Sequence, residues 1–178
     1  MNLEEVLNYR RSVRVFDKTK PLDTQKVKHC LELATLAPNS SNMQLWEFYH
    51  ITNPELMNKV SYACLDQTAT QLVVFVTRRD KNKQHAKFVL DFERENIARN
   101  SPKDRQEKRI KDRELYYGKI MPLLYTNFFG VLGTFRVGLT KVIGLFRTIT
   151  REVSENDMRV VVHKSTALAA QTFMIAMA

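Results

Sequence analysis

The sequence predicts an α+β domain in which helices outnumber strands. Apolar residues recur at helical spacing in several segments, and two runs have the length and the aromatic or β-branched composition of strands. Of the 178 residues, 44% are hydrophobic and 26% are charged, an ordinary balance for a folded globular chain. This length suits one core rather than two independent ones, so a single domain over residues 1–178 is expected.

The first elements are two short helices. Residues 3–9 and 24–36 carry apolar side chains at helical spacing, and Pro38 ends the second run. Between them lies RRSVRVFDKTKPLD, whose stretch VRVFD has the alternation of a strand. Alternation would place Ser12 and Arg14 on the same side of that stretch.

Two strands bracket a third helix. LWEFYHIT, residues 45–52, is rich in aromatic and β-branched residues and predicts a strand. Asn53-Pro54 then combines a capping residue with a proline suited to the first helical position, and the helix is expected to end near Leu65. QLVVFVT, residues 71–77, is an almost continuous apolar run that predicts a central strand.

The second half is helical and changes in character twice. Residues 80–117 are charged, with a break predicted at Ser101-Pro102. All five glycines follow, in a stretch rich in Phe, Leu and Val that is interrupted by Arg136, Lys141 and Arg147, so a membrane-spanning helix is disfavoured there. A last helix is predicted from Ser154 to the end, where no capping residue follows, so we expect the native chain to continue.

Charge and cysteine usage narrow the classes of function. A net charge of +9 suits a partner that carries phosphate, yet the charged runs interleave acids with bases, as in a solvated helix face rather than a nucleic-acid track.

Cys30, Cys64 and the four histidines lack the spacing of a metal site. The start of the chain does not resemble a secretory signal, so a cytoplasmic protein is expected.

Two segments carry the candidate chemistry. Because no glycine precedes Gly118, glycine-rich phosphate loops are excluded from the N-terminal half, and side chains must supply the donors. The basic segment Arg10, Arg11, Ser12 and Arg14 offers guanidinium and hydroxyl groups for phosphate, although basic residues that only offset a helix dipole would look the same. The second segment, APNSSNMQLWEF, offers amides and hydroxyls to a planar heteroaromatic edge, or is an ordinary polar turn.

Together these segments resemble the nitroreductase family, the FMN-dependent NAD(P)H oxidoreductases. The resemblance is carried by R-R-S-V-R-x-F at residues 10–16 and A-P-N-S-S-N-M-Q-x-W at residues 37–46. Leu45 departs from the family pattern, which has proline before the tryptophan. Residues 79–150 match the family poorly and are expected to form a helical, Gly- and Phe-rich insertion. The family's closing segment is not among these 178 residues.

The resemblance implies a fold and a cofactor site. It implies a central, mainly antiparallel sheet flanked by helices in an intertwined homodimer, with the final helix at the dimer interface. The basic segment would hold the FMN phosphate and ribityl chain, and a second set of residues would reach the flavin from the other subunit. Those residues are Pro38, Asn39, Ser40 and Asn42, and Gln67 matches a polar position near the flavin ring.

The function implied by the resemblance is hydride transfer from NAD(P)H, through FMN, to a nitroaromatic, quinone or similar small acceptor in a ping-pong cycle. Two alternatives remain open. One is a non-catalytic FMN-binding or regulatory module on the same fold. The other is a basic protein that binds nucleic acid or a membrane surface through residues 78–147, where the Gly- and Phe-rich stretch could equally be a mobile flap or a dimer interface.

Overall fold

The computed structural model describes residues 2–64, 68–126, 131–149 and 152–178, with the backbone alone for 61–64. These residues form mostly helices and one small sheet. The helices are α1 (Leu3–Tyr9), α2 (Thr24–Ala34), α3 (Pro54–Cys64), α4 (Asn82–Asn100), α5 (Lys103–Leu115), α6 (Met121–Tyr125), α7 (Val131–Ile143) and α8 (Glu155–Met177). The strands are β1 (Trp46–Ile51) and β2 (Leu72–Thr77).

The predicted helices and both long strand runs are confirmed. Side chains cap the starts of the first three helices. The Asn2 side chain caps α1 and the Asp23 side chain caps α2. At the start of α3 the Asn53 Oδ1 atom accepts the Leu56 N–H at 3.0 Å. The break between α4 and α5 falls at Ser101-Pro102, as predicted.

The sheet is antiparallel and has two strands among the described residues. His50 Nε2, near the end of β1, lies 2.6 Å from Gln71 Oε1, just before β2. At the other end the Arg78 N–H donates to the Leu45 carbonyl at 2.9 Å. The central position expected for 71–77 stays a prediction: β2 has one neighbour among the described residues, and its side chains are all partly exposed.

The chain divides into two compact units. The first comprises Met1–Pro38, Trp46–Val76 and Thr166–Ala178, and the second comprises Asn39–Leu45 and Thr77–Ser165. The single domain expected over residues 1–178 stays a prediction. Each unit is described by itself below.

The first unit is built around aromatic packing on the sheet. Trp46 is buried with Ala37 and Ala169, and Phe48 packs against this cluster. The Phe48 and Phe75 rings have centroids 4.8 Å apart, and Phe75 meets Phe173 of α8 edge to face at 5.6 Å. Such edge-to-face and tilted arrangements add to the stabilisation from apolar burial.

The second unit has the larger core. Met43 and Leu45 are 2% and 3% exposed, and they pack with residues of α4, α6 and α8. The remaining members of this cluster are Ala86, Val89, Leu90, Tyr117, Met121, Tyr125, Met158 and Val162. Met43 and Leu45, the apolar residues of the second sequence segment, therefore attach its polar turn to this core.

The charged surfaces of α4 and α5 face each other through ion pairs. Arg94 Nη2 lies 2.6 Å from Glu114 Oε1, and Arg113 Nε lies 3.0 Å from Glu93 Oε2. Within α5, Lys111 Nζ lies 2.7 Å from Glu107 Oε1, and the Asp104 carboxylate lies 3.7 Å from Arg105 Nε. Because acids offset these bases, the two helices do not present a surface of one charge sign to nucleic acid.

Two apolar features stand out on the helices. On α7, Val131, Phe135, Leu139 and Val142 are all at least 46% exposed. Helix α8 has 23 residues, and an 18-residue window within it has a mean hydropathy of 1.2, enough in length and composition to cross a membrane. That is weak support for a span, since core helices of soluble proteins satisfy the same criteria, and α8 contributes buried residues such as Val162 and Ala169.

The start of α8 gives a first testable prediction. Ser154 Oγ accepts the Asp157 N–H at 3.1 Å, and Asp157 Oδ2 accepts the Ser154 N–H at 2.9 Å, which confirms the predicted capping box. Ser154→Ala should lower the free energy of unfolding by about 1 kcal/mol in urea titrations at neutral pH. Ser154→Thr, which keeps a hydroxyl, is the matched control, and an alanine variant as stable as wild type would contradict the role of this cap.

The stabilisation that this cap contributes should depend on pH. Hydrogen bonds from the Ser154 side chain, and then from its backbone, lower the pKa of Asp157. A carboxyl whose pKa is lowered in the fold stabilises it above the ordinary aspartate pKa, and this stabilisation is lost as the pH falls through the lowered value. The stability difference between wild type and Ser154→Ala should therefore shrink at acid pH.

Candidate functional site

The basic segment leaves α1 as an extended chain. Arg10 follows the last helical residue with φ −60° and ψ 127°, and its N–H closes the helix on the Val6 carbonyl. Arg10 is half-buried, whereas Arg11, Ser12 and Arg14 are exposed. The Arg11 Nη1 atom donates to the Arg10 carbonyl at 2.8 Å, so the start of the segment is held by its own side chain.

The strand expected over VRVFD is absent. Residues 10–16 have no regular structure, and Val13 and Val15 are 55% and 74% exposed. The Phe16 N–H donates to Thr68 Oγ1 at 3.0 Å rather than to a neighbouring strand. Alternation alone was misleading here, because a strand also needs a partner for its backbone groups, and no described strand runs beside this segment.

The guanidinium groups of this segment are available to an anion. Within the described parts of the chain, no carboxylate forms an ion pair with Arg10, Arg11 or Arg14, although most other arginines have one. Guanidinium groups match phosphate oxygens in a bidentate geometry. The segment can therefore neutralise and orient a phosphate.

The second segment forms a tight turn with unusual backbone angles. Ser40–Asn42 is a 3-10 turn, and φ is 53° at Ser41, 52° at Asn42 and 46° at Gln44. These values lie in the left-handed region, which is unfavourable for residues other than glycine. Such backbone persists only where surrounding contacts fix it, and it concentrates at functional sites.

Contacts on several sides hold this turn. The Gln44 N–H donates to Asn39 Oδ1 at 2.9 Å across the turn, and the Ser40 N–H donates to Ser165 Oγ of α8 at 3.3 Å. Further hydrogen bonds come from Tyr116, Tyr117 and His85. No local sequence pattern predicts these three supports, since they lie far from the turn along the chain.

The inner side of the turn is closed. A cavity of about 10 Å³ lies beneath it, lined in part by Asn39, Met43 and Tyr125. That volume holds at most one water and excludes any aromatic ring. Ser40, Asn42 and Gln44 are exposed on the outer side, so a planar ligand would meet the turn there.

The predicted site residues fall into the two units. Arg10, Arg11, Ser12, Arg14 and Pro38 belong to the first, and Asn39, Ser40 and Asn42 belong to the second. Pro38 is exposed at the end of α2. Gln67 lies outside the described residues. Within each unit the predicted residues are mostly exposed.

Comparison with known proteins decides the family. The model of the nitroreductase family matches residues 7–178. The chain belongs to the nitroreductase family. The matched range includes residues 79–150, where the motifs gave no resemblance, so family membership extends through the helices that support the turn.

One curated relative matches part of the chain. An oxygen-insensitive NADPH nitroreductase of Helicobacter acinonychis is 36% identical over 76 residues, which are 40% of this chain and 36% of that protein. The chain thus spans little more than a third of this nitroreductase.

Solved structures support the nitroreductase fold. A nitroreductase from Bacillus subtilis superposes with a TM-score of 0.61 at 16% identity, covering 97% of this chain and 68% of that one. A nitroreductase from Exiguobacterium sibiricum, solved in complex with FMN, gives a TM-score of 0.53 at 17% identity, covering 99% and 69%. The expected nitroreductase-like α+β fold is confirmed, and the intertwined homodimer stays a prediction.

Proposed function

We propose that this protein is an FMN-dependent oxidoreductase that transfers hydride from NAD(P)H, through the flavin, to a nitroaromatic, quinone or similar small acceptor. The observation that carries the proposal is the pairing of two site segments in a nitroreductase-family chain: three guanidiniums without a carboxylate partner among the described residues, and a turn in left-handed backbone. The FMN complex of the Exiguobacterium nitroreductase and the NADPH named for the Helicobacter relative support it.

The residues present fit FMN. Arg10, Arg11 and Arg14, with the Ser12 hydroxyl, offer charge-assisted hydrogen bonds to the phosphate and ribityl chain. The outer side of the Asn39–Asn42 turn offers amide and hydroxyl groups to the edge of the ring, and Pro38 adds an apolar contact beside them. Gln67 is proposed near the ring on the resemblance alone.

When bound, FMN supplies the redox chemistry, accepting hydride from NAD(P)H and passing electrons to the acceptor in a ping-pong cycle. The chain contributes binding, orientation and charge. The guanidiniums of the basic segment would offset the phosphate charge, and donors at the turn would favour the reduced ring, on which negative charge develops.

The assembly that we propose is a homodimer in the cytoplasm. In that dimer the turn of one subunit contacts the flavin held by the basic segment of its partner. Membership of the nitroreductase family favours this arrangement.

A visible spectrum tests the proposed function. Purified protein supplied with FMN should retain flavin absorbance bands after desalting, should bleach under anaerobic NADPH or NADH, and should regain colour when a quinone or nitroaromatic is added. Protein that shows no flavin absorbance after incubation with excess FMN and desalting would contradict the proposal.

The same spectrum separates the alternatives. Bound FMN that neither nicotinamide reduces would identify a non-catalytic flavin-binding module. The exposed apolar side chains of α7 favour the membrane-surface alternative over the nucleic-acid one. That alternative requires FMN-independent sedimentation with anionic vesicles.

A further inference from the structure

The strained Asn39–Asn42 turn is supported by two consecutive tyrosines. The Tyr116 hydroxyl lies 2.8 Å from Ser41 Oγ, and the Tyr117 hydroxyl donates to the Ser41 carbonyl at 3.1 Å. Both hydrogen bonds converge on the first residue of the turn that has positive φ. They offset the cost of that backbone conformation at the position where it begins.

The two tyrosines are presented by a π-helical turn, Tyr116–Ile120, that follows α5. Turns of this kind interrupt an α-helix by one extra residue and recur at functional sites. The rings pack edge to face, with centroids 5.0 Å apart and an interplanar angle of 86°. Each ring restrains the other, so both hydroxyls are held in place toward Ser41.

The donor character of Tyr117 is secure at neutral pH. Its side chain is buried in the core of the second unit. Burial, and to a lesser degree the nearby Glu93 carboxylate, raises the pKa of Tyr117 above its ordinary value. The phenol therefore keeps its proton and donates to the carbonyl.

His85 and Ser165 contact the turn on either side of Ser41. The His85 Nδ1 atom donates to the Met43 carbonyl at 2.8 Å, and Met43 itself is 2% exposed in the core. Ser165 Oγ accepts the Ser40 N–H and donates to the Val161 carbonyl at 3.0 Å. The turn is thus bounded on both sides, and its exposed outer groups have one defined arrangement.

We propose that Tyr116 and Tyr117 are positioning residues for flavin binding, which hold Ser41 in left-handed backbone so that the outer side of the turn matches the ring edge. This inference rests on the proposed function. It assigns a role to a part of the chain that the two sequence motifs do not reach. It also explains how non-glycine residues occupy positions with positive φ.

The test uses the full chain with Tyr116→Phe, Tyr117→Phe and the double variant. Phenylalanine keeps the packing and removes only the hydroxyl. The matched control is Tyr125→Phe, because Tyr125 is buried in the same core and its hydroxyl makes no hydrogen bond to the turn among the described contacts. FMN and riboflavin are titrated separately, and hydrogen exchange of the peptide covering residues 39–45 is measured without flavin.

One hydrogen bond changes an equilibrium by about 0.5–1.5 kcal/mol, or roughly 2- to 10-fold. Each single variant should raise the Kd for FMN and for riboflavin by the same factor within about this range, and the double variant by more. The peptide 39–45 should exchange faster in the double variant. Tyr125→Phe should change neither quantity.

Two results would overturn the positioning role alone: a double variant with wild-type affinity and exchange, or a Tyr125→Phe protein that loses as much as the double variant. Wild-type protein that binds neither FMN nor riboflavin would overturn the positioning role and the proposed function together. Riboflavin separates ring contacts from phosphate contacts, since it lacks the phosphate that the basic segment would bind.

Discussion

Replacing Arg10 and Arg14 together by glutamine is expected to weaken FMN binding by about a hundredfold or more. A hydrogen bond between charged partners contributes about 1.5–3 kcal/mol, and 1.4 kcal/mol corresponds to a factor of ten. Neither guanidinium has a carboxylate partner within the part of the chain that the structure describes, so neutralising them removes no internal ion pair seen there. Absorbance titrations with FMN at fixed ionic strength measure the change.

The control for that prediction is Lys18→Gln with Lys28→Gln. This pair removes the same charge from exposed positions of the same unit and should change the Kd for FMN only slightly, because exposed charges are screened beyond about 10 Å. Riboflavin, which keeps the ribityl chain but lacks the phosphate, should lose much less affinity than FMN in the arginine variant. An arginine variant with wild-type affinity for FMN, or one that loses no more than the lysine variant, would show that the segment does not hold the phosphate.

Replacing Arg136 by methionine is expected to destabilise the fold by about 3 kcal/mol or more, since each buried carbonyl left without a donor costs about 1–3 kcal/mol. Arg136 is 6% exposed on α7. Its guanidinium donates to three backbone carbonyls, those of Leu123 at 2.6 Å, Thr126 at 2.8 Å and Val153 at 3.1 Å. Methionine fills similar space but leaves these carbonyls without their donor, and buried acceptors without partners are costly. Urea denaturation followed by far-UV circular dichroism measures the loss.

Arg136 also belongs to a charge group whose balance the substitution disturbs. Burial lowers the pKa of the Arg136 guanidinium, and the Glu155 carboxylate opposes that shift. Glu155 itself pairs with Arg79. The control is Lys141→Met, an exposed position on the same helix, where a change within about 0.5 kcal/mol is expected. A loss below 1 kcal/mol in Arg136→Met would contradict the structural role of this arginine.

Much of the fold was predictable because local chemistry determines it. Proline and capping residues placed the ends of α2, α3, α5 and α8 to within a few residues. The two strand runs were also correct, because aromatic and β-branched composition agreed with length. VRVFD failed because its alternation was not matched by a partner strand among the described residues, and pairing is a non-local property that one segment cannot reveal.

The same limit applies to Arg136. In the sequence it interrupts an apolar stretch in the same way as Lys141 and Arg147, yet only Arg136 is buried. Its partners are main-chain carbonyls, which every residue carries, so no pattern of side chains in the sequence predicts them. The sequence alone therefore could not predict which of these three basic residues is buried.

For the candidate site, residue types were predictable and their conformation was not. The guanidiniums and the amides follow directly from the two motifs. Left-handed backbone at Ser41 and Gln44 was not expected, since a segment without glycine normally avoids it. At Ser41 it is supported by hydrogen bonds from Tyr116 and Tyr117, which lie 75 and 76 residues away along the chain. Support at such a distance has no sequence signature without an alignment.

A crystal structure of the protein with FMN would test most directly whether the basic segment and the turn form one flavin site. We expect the phosphate within hydrogen-bonding distance of the Arg10 or Arg14 guanidinium, and the edge of the ring against the Asn39–Asn42 turn of the neighbouring subunit. FMN bound away from both segments, or a dimer that keeps the two segments apart, would contradict this account.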